Sequence, residues 1–195
     1  MIKTDRRNSI LSCAEEIFAN KGYFATSISD IIQSASIARG TFYIYFDSKK
    51  AIFDALVDDL LYLIDNAIKR IDISNSATEP LEQLKDNMLR VASVLYDKSN
   101  LTKILLTYAK GIDSDFDQKI DSFYKMILHQ IESAISLGME MELIRICNPK
   151  IIASCILGSI KEVSHSLIFN SYSIEHIEEV VDEIIQFALT GLLIK

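Results

Sequence analysis

Residues 36–50 read Ser36-Ile37-Ala38-Arg39-Gly40-Thr41-Phe42-Tyr43-Ile44-Tyr45-Phe46-Asp47-Ser48-Lys49-Lys50. Phe42 and Phe46 stand one helical turn apart, so a short helix from about residue 38 to 43 can be anchored on a small core by these two rings. That leaves its other faces to Arg39, Gly40, Thr41, Tyr43 and Tyr45. Arg39 can fork onto a guanine edge or a phosphate. Gly40 lets backbone come close to a partner. Thr41 offers a hydroxyl and a methyl, and the two tyrosines are polar-tipped aromatics able to reach phosphates. Lys49 follows in the first turn of the next helix, where free N–H groups also favour phosphate.

Working outward, the preceding stretch supplies what such a helix needs. Ile10, Ala14 and Phe18 recur at helical spacing, with Leu11 and Ile17 widening the stripe, and Gly22 suits the left-handed residue that ends a helix. Ser27-Ile28-Ser29-Asp30 resembles a capping box with Asp in place of Glu. It opens a second short helix carrying Ile28, Ile31 and Ile32, expected to end near Ala35, with Ser36 and Ile37 turning tightly into the third. Two short helices around a tight turn are the helix-turn-helix arrangement, whose second helix lies in the major groove of DNA. Ser27 and Ser29 then start the helix that crosses the backbone.

The remainder continues with the same period. Ser48 caps a fourth helix with Phe53, Leu56, Leu60, Ile64, Ala67 and Ile71 inward, and residues 72–79 are the most loop-like piece. Further helices are expected over about 80–97, 100–109, 113–137 (stopped by Gly138), 149–170 and 174–192. Nothing alternates with period two for long, so the fold class is all-α, with about nine helices. The 195 residues hold only 6 Gly and 2 Pro, against the turn-rich chemistry of an all-β sandwich and against disorder. The longest unbroken apolar runs, 42–46 and 60–64, are five residues, far short of the ~20 a membrane span needs, and no secretory signal opens the chain.

Net charge is −7, yet it is unevenly placed: residues 1–50 hold seven Lys/Arg against five acids, and the rest 13 against 22. A basic head on an acidic body can still dock on phosphates. Lys3, Arg6 and Arg7 suit a basic arm or a frayed end. Three cysteines without a CxxC, Cys13, Cys147 and Cys155, read as reduced thiols of a cytoplasmic protein. His129, His165 and His176 form no metal-ligand spacing, and the acids Asp113, Asp115, Asp117 and Asp121 suit a helix start better than a calcium loop. No phosphate-binding glycine loop or nucleophile motif occurs. No cofactor, metal or enzymatic activity is expected.

Taken together, Ala14-Glu-Glu-Ile-Phe18, Lys21-Gly-Tyr23, Ala25-Thr-Ser-Ile-Ser-Asp-Ile31, Gly40-Thr-Phe-Tyr43 and Tyr45-Phe-Asp-Ser-Lys49 resemble the tetracycline-repressor (TetR) family of bacterial transcription regulators, over about Ile10 to Leu56. The resemblance implies a helix-turn-helix DNA-binding domain at 1–48 and a ligand-binding and dimerisation domain at 49–195. It implies a homodimer on a pseudo-palindromic operator, released by a small molecule, with no membrane partner. By position, the DNA contacts fall on Ser27, Ser29, Arg39, Gly40, Thr41, Tyr43, Tyr45 and Lys49. Tyr45 departs from the histidine common there, and Ile44 sits where an aromatic is common. The family's last two helices pair between subunits, here through Ile152, Cys155, Ile156, Ser159 and Val163, then Ile177, Val181, Ile184, Ala188 and Leu192. Met88, Val91, Tyr96, Tyr108, Phe123, Met126, Ile127 and Phe169 are candidates to line an effector pocket, whose apolar and aromatic character favours a hydrophobic or amphipathic effector. The alternative is an all-α small-molecule-binding or interaction protein without specific DNA binding.

Overall fold

A computed structural model describes residues 2–74, 77–108, 110–169 and 177–190, with backbone only for 2–5 and 190. Its elements are all helical: α1 (Ile2–Lys21), α2 (Ile28–Ser34), α3 (Arg39–Tyr45), α4 (Lys49–Ala67), α5 (Pro80–Asp97), α6 (Ser99–Thr107), α7 (Ser114–Glu140), α8 (Pro149–Phe169) and α9 (Ile177–Thr190). No strand occurs among the described residues. His176 and Leu192, and the expected ends of the last two helices, lie outside them.

The chain packs as two compact units, one of Met1–Leu63 with Lys98–Tyr108, the other of Ile64–Asp97 with Ala109–Lys195. α4 gives Phe53, Leu56, Val57 and Leu60 to the first unit's core, each no more than 2% exposed. α6 joins it too: Leu101, Thr102, Ile104 and Leu105 are buried, and α6 packs on α1. Sequence spacing alone had no means of moving a helix from the middle of the chain into the head, since the pairing is non-local.

Several ends follow local chemistry. Gly22 takes φ +87°, and its N–H donates to the Phe18 carbonyl (3.0 Å), closing α1 as expected. Asp113 caps α7 by accepting the Phe116 N–H at 2.9 Å. Three expectations are corrected. The basic arm is not a loose segment, because α1 begins at Ile2. α4 ends at Ala67, so Ile71 is not on it: Arg90 Nε donates to the Ala67 carbonyl, and the Asn87 amide pairs with both backbone groups of Lys69, giving the helix end partners on α5. Gly138 does not stop α7, which runs to Glu140. Its bare Cα instead leaves room for the Ile144 side chain, and its carbonyl accepts the Leu143 N–H.

The second unit pairs α7 with α8, α5 with α9 and α8 with α9. Lys85 Nζ on α5 lies 2.6 Å from Asp182 Oδ1 on α9, and that carboxylate's hydrogen bond holds the lysine's pKa above its ordinary value. α8 has the length and composition to cross a membrane, with a mean hydropathy of 1.4 over its best window.

Candidate nucleic-acid interface

The first unit is built around an aromatic cluster. Phe18 meets Phe53 edge-on at 5.3 Å between centroids, and Tyr23 lies 4.6 Å from Phe53. Tyr108, just past α6, closes the cluster at 6.1 Å from Phe53 and 6.5 Å from Tyr23. The Tyr108 hydroxyl oxygen accepts the Tyr23 N–H at 3.1 Å. That oxygen also occupies the space a Cβ on residue 22 would need, so Gly22 is required by both backbone conformation and packing.

The α1–α2 loop is held at several further points. Thr26 Oγ1 donates to the Gly22 carbonyl at 2.6 Å. Lys49 Nζ donates to the carbonyls of Tyr23 (2.7 Å) and Thr26 (2.9 Å) and lies 4.3 Å from the Tyr23 ring centroid. Two of the three ammonium hydrogens are therefore committed inside the head, and burial lowers the lysine's pKa. The capping box at α2 is complete. The Ser27 N–H donates to Asp30 Oδ2 (2.7 Å), and the Asp30 N–H donates to Ser27 Oγ (3.2 Å). Lys21 also bonds Asp30 at 2.8 Å, and these hydrogen bonds hold the carboxyl well below the usual carboxylate range. Ser27 and Ser29 remain exposed.

Between α2 and α3, the Ile37 N–H reaches the Ile32 carbonyl (3.2 Å), and Ser36 adopts φ +51°, an uncommon left-handed conformation for a residue with a side chain. The turn aims α3. Phe42 (0% exposed) and Phe46 (4%) are sealed in the core, as their spacing predicts. Arg39, Gly40 and Tyr43 are exposed, while Thr41 and Tyr45 are half-buried. The Arg39 guanidinium lies 5.8 Å from the Tyr43 ring centroid, within cation–π reach. Arg7 of α1 lies over the Phe46 ring at 5.3 Å, adding a cation beside the C-terminal end of α3. Sequence reasoning missed two features here: Ile44, which is 67% exposed, and the binding of the α1–α2 loop by Lys49 and Tyr108.

In the second unit, six of the residues expected to pair between subunits come together within the single chain. Ile152, Cys155, Ile156 and Ser159 of α8, with Ile184 and Ala188 of α9, line one cavity of about 140 Å³ together with Arg145 and Phe187. Val181 is buried, whereas Val163 and Ile177 are half-buried. The expected pocket residues are less united. Tyr108 belongs to the first unit, and the other seven belong to the second. Tyr96 is 64% exposed, Phe169 is 37% exposed, Ile127 is buried, and Met88, Val91, Phe123 and Met126 are half-buried. A larger hollow of about 670 Å³ is lined by Glu132, Ser136, Cys147, Asn148, Pro149 and Lys150, none of them among those expected.

A trihelical head with a cored, outward-facing second helix defines a helix-turn-helix DNA-binding protein. Comparison with known proteins gives the family. Residues 10–56 match the family model for bacterial regulatory proteins of the tetR family. The uncharacterized HTH-type transcriptional regulator YvdT of Bacillus subtilis is 27% identical over 197 residues, covering 94% of this chain and 93% of its own. The fold is shared with the fatty acid degradation regulator FadR from Bacillus halodurans (TM-score 0.77, 20% identity, covering 95% of each chain). It is also shared with AibR, solved in complex with isovaleryl coenzyme A and operator DNA (TM-score 0.76, 20% identity, 93% of this chain and 97% of that one). Residues 10–56 thus carry the helix-turn-helix segment of the tetR family, and the relatives that match beyond it are HTH-type transcriptional regulators.

Proposed function

We propose that the protein is a cytoplasmic, ligand-released repressor that binds a pseudo-palindromic operator as a homodimer. In this reading, residues 1–48 carry DNA binding and 49–195 carry effector binding and dimerisation. The two heads sit one helical turn of DNA apart, roughly 34–36 Å. Arg39 reads a base edge, Gly40 and Thr41 meet the groove, and Tyr43, Tyr45, Ser27 and Ser29 bond the backbone. The observation that carries the reading is the division of α3 into a buried pair, Phe42 and Phe46, and an exposed set that includes Arg39, Gly40 and Tyr43. Lys49, a DNA contact by sequence position, is left out of the proposed contact set, because two of its ammonium hydrogens are spent on the α1–α2 loop.

Dimerisation through α8 and α9 is supported by apolar side chains left in water by a single chain: Ile151 is 60% exposed and Phe187 72%, beside the cavity walled by Ile152, Cys155, Ile156, Ser159, Ile184 and Ala188. Val163, Ile177 and Val181 continue the same two helices. The effector is assigned to the hydrophobic, acyl-containing class. Half-buried Met88 and Val91 of α5 and Phe123 and Met126 of α7 support this, as does the isovaleryl coenzyme A bound by AibR. An effector releases DNA only to the extent that it binds the two states of the dimer with different affinity.

The test is a gel shift with duplexes from around the protein's own gene at moderate salt, with and without acyl-coenzyme A compounds. Saturable binding to one segment, lost on adding an acyl compound, is the expected result. No preferred segment would favour the small-molecule-binding or interaction protein instead.

A further inference from the structure

We propose that Ile44 is a specificity-determining residue that reads the 5-methyl group of a thymine in the major groove. The inference rests on the DNA-binding reading of α3 and names what one of its side chains recognises. Ile44 is 67% exposed on a seven-residue helix whose core needs are met by Phe42 and Phe46. It shares a face with Gly40, one turn earlier, and apart from the helix's own backbone and the neighbouring Arg39 and Thr41 nothing lies within 4 Å of the position a Cβ on Gly40 would occupy. Helical side chains lean toward the N-terminus. The Ile44 side chain and the open space at Gly40 therefore lie on one face, an apolar group beside a gap that a base edge can enter. Thr41, three residues earlier, is half-buried and brings a methyl to the same edge.

The flanks of this face are polar. Arg39 and Tyr43 lie within cation–π reach of each other, and the Tyr43 ring also rests 5.5 Å from Phe42. An apolar group bordered by polar tips matches a base edge on which one apolar group stands among hydrogen-bonding atoms. In the major groove only thymine offers that pattern, an O4 acceptor beside a C5 methyl.

The experiment uses the full-length protein and duplexes it recovers from a randomised pool. Each dT of a recovered duplex is replaced singly by dU, which deletes the methyl and keeps the pairing. At one dT per half-site, wild type should lose about fourfold in affinity, the factor one buried methyl supplies, and about sixteenfold when both half-sites are changed. Ile44→Ala should bind the unmodified duplex more weakly and be indifferent to dU at that position, while Ile44→Val retains part of the preference. Ile44→Ala should keep wild-type helicity, because the residue lies outside the core. Equal binding of dT and dU duplexes by wild type overturns the assignment. A dU penalty that persists in Ile44→Ala overturns it too, handing the methyl to another side chain. Failure to recover any preferred sequence defeats the DNA-binding reading itself, and the assignment with it.

Discussion

Among the described residues, eighteen of the twenty-six buried apolar ones lie in the smaller unit, that of Met1–Leu63 and Lys98–Tyr108, and eight in the larger one. In the first, Phe18, Phe42 and Phe53 are at most 1% exposed. In the second, most side chains of α5 are half-buried, and α8 and α9 leave Ile151 and Phe187 in water. The difference teaches how the two ends are finished. The head closes its core with its own chain, borrowing α6 to do so, and can hold a reading helix rigidly. The body leaves apolar side chains on α8 and α9 in water and much of α5 half-buried, the features on which the proposed dimer and effector site rest.

The sharpest way to break this contrast is Phe53→Ala. It removes a ring shared by Phe18, Tyr23 and Tyr108 and should cost about 3–5 kcal/mol of stability in a denaturant titration, with loss of DNA binding. A cost below 1 kcal/mol would mean the head is not the tightly packed element. The matching test of the body is Phe187→Glu. It should leave the fold of each chain intact and weaken the dimer about 100-fold, roughly 3 kcal/mol, in sedimentation. An unchanged association constant would remove α9 from the interface.

Arg39→Ala comes next, at about 1–3 kcal/mol of operator affinity with preference relaxed at one base pair. Equal losses on every sequence would make Arg39 a phosphate contact. Smaller again is Tyr108→Phe, which removes the hydrogen bond from the Tyr23 N–H to the Tyr108 hydroxyl and should cost about 1 kcal/mol. In that background Gly22→Ala should be less harmful than in wild type, since the hydroxyl that excludes a Cβ is gone while the strain of φ +87° stays. A double-mutant cycle without coupling would show that the hydroxyl does not shape the turn.

Legibility in the sequence followed the range of the interaction. Gly22, the Ser27–Asp30 capping box, the Phe42–Phe46 anchor and the Asp113 cap all act within a few residues, and each stands where its spacing predicts. The hydrogen bond from Tyr23 to Tyr108 spans 85 positions, and the Lys49 bond to Tyr23 spans 26, so spacing could place neither. Tyr108 was expected in the body for the same reason. The ends of α4 and α7 were misread because a side chain on α5 supplied one, and a neighbour packed on Gly138 let the other run on.

Lys49 gives the comparison its finest test, because head rigidity and phosphate binding make opposite demands on one ammonium group. As a phosphate contact, its loss would flatten the dependence of log affinity on log salt by about one unit. As the tie between α4 and the α1–α2 loop, its loss frees the carbonyls of Tyr23 and Thr26 and loosens the turn that sets α2, with no phosphate released. The geometry favours the second, so Lys49→Met should lower head stability and weaken all duplexes while leaving the salt slope unchanged. A slope reduced by one unit at unchanged stability would return Lys49 to the DNA backbone and leave Tyr108 as the principal fastening of the loop.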